Sequence, residues 1–226
     1  MLISLLRGQL DFSTAVVEIL AILMIVFIVL PFHEWAHAYA ALKLGDTSIK
    51  YRGRLTLNPL AHIDPFGALA LLLFGIGWAK PVPVDPRYFK RPKLYMAITA
   101  LMGPLANVVA AMAGGLILHA VNAIAPGFLI TDTFGNYVYI FLSYYITINA
   151  FLAVFNFIPI PPLDGSKVLF LFLPDKWVAW VNRYQQYISI VFLILLFSDI
   201  LDTPLDFLSG YVIQFVIWLT GLPFGV

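Results

Sequence analysis

Cysteine is absent from this 226-residue chain, which rules out disulfides and removes the thiolate as a metal ligand. Charge is also scarce: Asp, Glu, Lys and Arg make up 11% of residues against 62% hydrophobic ones, and the mean hydropathy is +0.93. A soluble globular domain carries about 25% charged residues, so that class is excluded. Basic clusters with interleaved aromatics are missing too, and a nucleic-acid partner is set aside. Glutamate is rarest of all, at Glu18 and Glu34 alone. The N-terminus lacks the layout of a cleavable signal, no internal repeat or low-complexity tract stands out, and the chain reads as a single membrane-embedded domain over 1–226.

What the chain does have is long apolar runs. A membrane span needs about 20 mostly apolar residues. Spans are expected near 14–44, 94–124, 135–158, 184–201 and 206–222, with 66–78 too short for an ordinary span and better suited to a short or re-entrant helix. Gly45-Asp46 should stop the first helix, and Gly103-Pro104 should kink the third segment. Residues 45–65 alternate polar and apolar positions and predict a small β-hairpin at the membrane surface. The expected fold is therefore an all-α polytopic membrane protein of about five to six transmembrane helices, with a small β-hairpin or re-entrant element after the first. Lys80, Arg87, Lys90, Arg91 and Lys93 fall in one loop, and Lys167, Lys176 and Arg183 in another, while 125–134 and 202–205 hold no base. By the positive-inside rule these two basic loops share the cytoplasmic side of a cell membrane.

At the end of the first run stands His33-Glu34-Trp35-Ala36-His37. Residues four apart stack on one helix face, so His33 and His37 can present two imidazoles to a single zinc ion. Glu34 is then placed to take a proton from a water that zinc makes acidic. The plainer reading is two histidines packed among aromatics. Ionisable groups at membrane depth are costly, however, and mark functional sites. A catalytic zinc needs a third protein ligand. Glu18 precedes the motif, so a downstream glutamate ligand is impossible, and Ala40 and Lys43 stand where the metzincin pattern needs Gly and His. His62, His119 and the downstream aspartates remain as candidates.

HEWAH, LNPLAHIDPFG (57–67), GWAKPVPVDPR (77–87), GPLAN (103–107) and NFIPIPPLDG (156–165) follow one another in order. Together they resemble the site-2 protease family of intramembrane zinc metalloproteases, in its compact form without PDZ or CBS domain. The resemblance implies zinc held by His33, His37 and Asp164, the Asp of LDG. It implies Glu34 as general base, Asn156 as a donor to the scissile carbonyl, and Asn107 as a further site residue. Bland alternatives for Asn156 and Asn107 are hydrogen bonds that glue helices together. The resemblance makes His62 and Asp64 loop-shaping residues, and His119 reads as structural. The expected activity is hydrolysis of a peptide bond in or beside a transmembrane segment of another membrane protein, with the active site towards the cytoplasm and the lipid bilayer as partner; no oligomeric state is implied. The rival readings are a catalytically silent scaffold of the same family and a zinc-binding transporter.

Overall fold

The computed structural model describes residues 12–74, 77–196, 198 and 200–225. Helices α1 (Phe12–Met24) and α2 (Leu30–Leu44) make one rod, joined by a π-helical stretch at Ile25–Val29. Pro31 has no N–H to offer the carbonyl four residues back, and its ring crowds that carbonyl. The wider π turn just ahead of it absorbs the mismatch. Gly45, at φ +123°, ends α2 in a conformation that suits glycine. Short pieces follow: α3 (Pro59–His62) and α4 (Pro65–Phe74).

The long helix α5 (Pro92–Ile124) is the spine of the molecule. It packs against α2, α7 (Thr133–Phe157), α8 (Gly165–Phe172) and α10 (Asp202–Gly221). Its buried face is built of small residues, among them Ala97, Ala100, Gly103, Ala106, Ala110 and Gly114, which let neighbouring backbones approach closely. The helix runs unbroken through Pro104. A one-turn helix, α6 (Phe128–Thr131), leads into α7. Ile25 and Val29 of the first rod pack with Ala110 and Tyr145, and Ala111 packs with Ile146 and Val216, so all four long elements share one apolar interior.

Four helices are long and apolar enough to cross a membrane: Ile19–Leu44, Pro92–Ile124, Thr133–Phe157 and Asp202–Phe224. The expected five to six is therefore too many among the described residues. Helix α4 has 10 residues and a length of about 15 Å, half the hydrocarbon thickness. The segment expected to span at 184–201 belongs instead to α9 (Asp175–Leu196), whose first half carries Asp175, Lys176 and Arg183.

Helix directions support the same conclusion for α9. Near its start, α10 places Leu208 beside Leu101 and Leu105; near its end, Thr220 meets Gly115 and the Ile217 carbonyl accepts from His119. Thus α10 runs parallel to α5, whereas α7 runs antiparallel, with Ala153 near Pro104 and Tyr145 near Ala110. The chain between the end of α7 and the start of α10 leaves and returns at the same end of the bundle, and α9 does not cross it. A ladder of ring contacts, Trp177–Trp180–Tyr184–Tyr187, runs along α9, and such residues favour the membrane–water interface.

The β-hairpin expected within 45–65 does not form, and no strand occurs among the described residues. Asp46 caps a 3₁₀ turn (Thr47–Tyr51) by accepting from the Ser48 N–H, and Asn58 caps α3 by accepting from the Leu60 N–H. These local side-chain bonds, with Pro59 at the start of α3, outcompete a ladder that the short alternating pattern was too weak to hold. A single antiparallel bridge, Ile63 to Ala79, is what remains.

Because the chain has no cysteine, single introduced cysteines report cleanly on sidedness. In sealed vesicles, Tyr51→Cys, Lys90→Cys and Asp202→Cys, the last at the start of α10 beyond α9, should be modified by an impermeant maleimide from one face, and Thr131→Cys from the other. Labelling of Asp202→Cys together with Thr131→Cys would overturn the non-crossing α9.

Candidate metal centre

Helix α2 carries His33 and His37 one turn apart, with ring centroids 4.7 Å apart and planes nearly perpendicular at 84°. Both are buried, as is Glu34. Their Nε2 atoms approach to 3.0 Å. Asp164 Oδ2 lies 3.4 Å from His33 Nε2 and 3.3 Å from His37 Nε2. The three residues each offer a ligand atom within 4.8 Å of the others, and they form the one such His/Asp group found among the described residues.

Two structural features bring Asp164 there. The Pro-rich turn after α7 reverses the chain, and Asp164 occupies the N-cap position of α8 without using its carboxylate as a cap. Gly165 permits the turn, since a Cβ there would sit 2.1 Å from the Phe157 carbonyl oxygen. On the opposite wall, α5 passes so close to α2 that a Cβ on Gly103 would come within 2.3 Å of His37 Nε2 and 2.5 Å of His33 Cε1. The glycine read from sequence as part of a kink is what admits the two imidazoles.

The far side of each ring is tied down. His37 Nδ1 lies 2.7 Å from the Thr99 carbonyl oxygen, and His33 Nδ1 lies 3.3 Å from Asn107 Oδ1. A carbonyl can only accept, so His37 Nδ1 carries a hydrogen, and in the neutral ring its Nε2 points a lone pair inward. With His33 in the matching tautomer, two imidazole lone pairs and a carboxylate oxygen converge with no donor between them. Such a cluster repels itself unless a cation sits at its centre, and two nitrogens and one oxygen suit zinc. The outer oxygens on Nδ1 are the partners that orient metal-bound histidines. Asp164 Oδ2 is buried and has no hydrogen-bond partner, the condition of an oxygen that awaits a metal. Lys167, one turn along α8, is pushed down by burial while the Asp164 charge pulls it back up.

The other residues singled out from sequence lie as follows. Asn107 is fully buried and joined to His33. Asn156, on the last turns of α7, donates its amide N–H to the Leu152 carbonyl of its own helix at 2.9 Å. His62 is completely buried, but its Nε2 is bound to the Thr56 carbonyl at 2.8 Å, so it stands outside the cluster. His119 bonds the Ile217 carbonyl and stacks on Phe224, four turns of α5 beyond Gly103. Thr99 and Val82, whose N–H donates to Glu34 Oε2 at 3.1 Å, were missed because they act through backbone atoms that carry no side-chain signature.

Zinc affinity should fall on acidification, because protons compete for ligands that must be deprotonated to bind. One zinc per chain at pH 7.5 should be lost progressively below about pH 6, as the imidazoles protonate. Asp164→Ala and Gly103→Ala should both fail to retain stoichiometric zinc at pH 7.5, measured by atomic emission on protein that still elutes as a folded species. Asn107→Ala should weaken binding by about 10- to 100-fold.

No family model and no solved structure matches the chain. Curated relatives do. A Bacillus subtilis protein named as a zinc metalloprotease, YwhC, is 40% identical over 163 residues, covering 72% of this chain and 74% of that one. Rip2 of Mycobacterium tuberculosis, named likewise, is 28% identical over 195 residues, covering 84% of this chain and 69% of its own length. Rip2 of Mycolicibacterium smegmatis is 28% identical over 175 residues, covering 75% and 64%. The buried donor set that calls for a cation and this extent of identity lead to one conclusion: the chain is a zinc metalloprotease and belongs with YwhC and Rip2 to the site-2 protease-like family.

Proposed function

We propose that the protein is an intramembrane endopeptidase that hydrolyses a peptide bond in or next to a transmembrane segment of another membrane protein. The observation that carries this reading is the position of the donor set. His33 and His37 lie on a helix that is itself a candidate span, Ile19–Leu44, about 20 Å from its start. They are buried against a second candidate span, α5. Every Lys and Arg among the described residues lies in the last turn of α2, in the first turn of α5 or in the segments joined to that end of the bundle, which supports a site opening towards the cytoplasm.

In this mechanism His33, His37 and Asp164 hold the zinc, with Thr99 and Asn107 fixing the imidazoles from behind. The metal, when bound, supplies the charge that makes water acidic enough to lose a proton near neutral pH. Glu34 takes that proton as general base and returns it to the leaving amine as general acid. Asn156 polarises the scissile carbonyl, which requires its amide to turn from Leu152 when substrate arrives; a donor in that role contributes about 3 kcal/mol. A helical substrate hides its carbonyls in its own hydrogen bonds, so it must unwind locally before attack. Water is scarce in the bilayer core, and the site is wetted from the end that bears the basic segments.

The test compares wild type with Glu34→Gln on fluorophore-labelled transmembrane peptides in liposomes, with zinc measured in parallel. Zinc should stay at one per chain while cleavage falls at least about 100-fold. Equal cleavage by the two proteins would overturn Glu34 as base, and zinc loss in Glu34→Gln would show a structural role instead. Asn156→Ala should lower kcat about 100-fold with zinc retained.

A further inference from the structure

Two motifs from the sequence, HID and KPVPVD, have no part in the zinc cluster, yet the second reaches Glu34 and the first anchors the second. Residues 79–85 run as a strap across the mouth of α2. The strap is pinned at one end by the Ile63–Ala79 bridge and by the Lys80 N–H, which donates to the His62 carbonyl at 2.7 Å. At its other end the Asp85 N–H donates to Oδ2 of Asp46 at 2.8 Å. Both anchors are completely buried: His62 is held by Thr56, and Asp46 also accepts from Ser48. Arg87 clamps the Asp85 carboxylate, holding its pKa down to about 2. The side chains of Val82 and Val84 pack onto Ala38, Ala41 and Ile49, fixing the strap's height over α2.

Between the anchors lies Pro81-Val82-Pro83. Prolines have no N–H, so Val82 owns the sole amide hydrogen of this tripeptide, and it donates to Glu34 Oε2 at 3.1 Å. With one carboxylate oxygen held, the other is left for the water. We propose that the Val82 backbone N–H is a positioning group for Glu34, and that 79–85, anchored by His62 and Asp46, is the scaffold that fixes the orientation of the proton-transferring carboxylate. This rests on Glu34 acting as the base. Flanking prolines suit the task, since they restrict Val82 to extended backbone and leave no competing donor beside it.

The experiment has an activity-free arm and a kinetic arm. In the detergent-solubilised full chain, amide hydrogen exchange at Val82 should accelerate in Glu34→Ala, which removes the acceptor, and stay slow in Glu34→Gln, which keeps an oxygen. Unchanged exchange in Glu34→Ala would overturn the proposal. In the kinetic arm, Val82→Pro deletes the N–H while matching the extended backbone. It should lower kcat on the labelled transmembrane peptide about 100-fold, with KM and zinc content unchanged. The conservative Val82→Ala, which keeps the N–H, should restore kcat. Wild-type kcat in Val82→Pro, or an equal loss in Val82→Ala, would overturn it. Should Val82→Pro fail to fold, the exchange arm still decides. Failure of the base reading is separately visible, as full activity in Glu34→Gln.

Discussion

The structure is organised around a repulsion that only a cation relieves. Two imidazole lone pairs and a carboxylate oxygen meet within 3.0–3.4 Å, buried, with their remaining hydrogens committed elsewhere. For this to happen α5 must pass α2 at a distance no side chain allows, which Gly103 provides, and the chain after α7 must double back on itself, which Gly165 permits. Small residues along the rest of the α5 face extend that close approach over the whole length of the spine. The apolar bundle is the means by which His33, His37 and Asp164, from distant parts of the sequence, are held at one point.

An apolar interior makes every polar group consequential, because an unpaired one has no water to fall back on. At the site His37 and Glu34 are paired in a consistent pattern, while Asn107 Nδ2 and Thr99 Oγ1 beside them have no hydrogen-bond partner. Side chains from α2 face backbone groups of other segments: His37 meets the Thr99 carbonyl and Glu34 meets the Val82 N–H. Backbone partners cannot rotate away as side chains can, and they hold His37 and Glu34 more rigidly than an exposed salt bridge would. The strap that supplies the Val82 N–H is held in turn by the backbone carbonyl of His62 and the carboxylate of Asp46, two fully buried residues.

The membrane topology follows from the same economy of charge. The four long helices leave the far end of the bundle without a described Lys or Arg, while the end bearing the metal cluster collects them. Helix α9 joins α7 to α10 without crossing, its aromatic ladder and charged first half suiting an interface. A hydropathy reading of 184–201 mistook its apolar second half for a span, because a window of side chains cannot register that α10 runs parallel to α5.

Some of this was legible in the residues alone. Apolar runs fix where long helices form, since backbone groups in lipid must be satisfied within the segment. The four-residue spacing of His33 and His37 fixes their shared face, because helical periodicity is local. Counting glutamates removed one class of third ligand, and motif order pointed to Asp164 through resemblance. The β-hairpin failed because capping by Asp46 and Asn58 is a competition between local bonds that an alternating pattern does not reveal. Tertiary structure alone decided that Asp164 meets the histidines, that Asn107 braces His33 while Asn156 bonds its own helix, and that Val82 reaches Glu34. The physical reason is the same in each case: these are contacts between residues far apart in sequence, several made by backbone atoms, and a residue's identity says nothing of where its N–H or carbonyl will point.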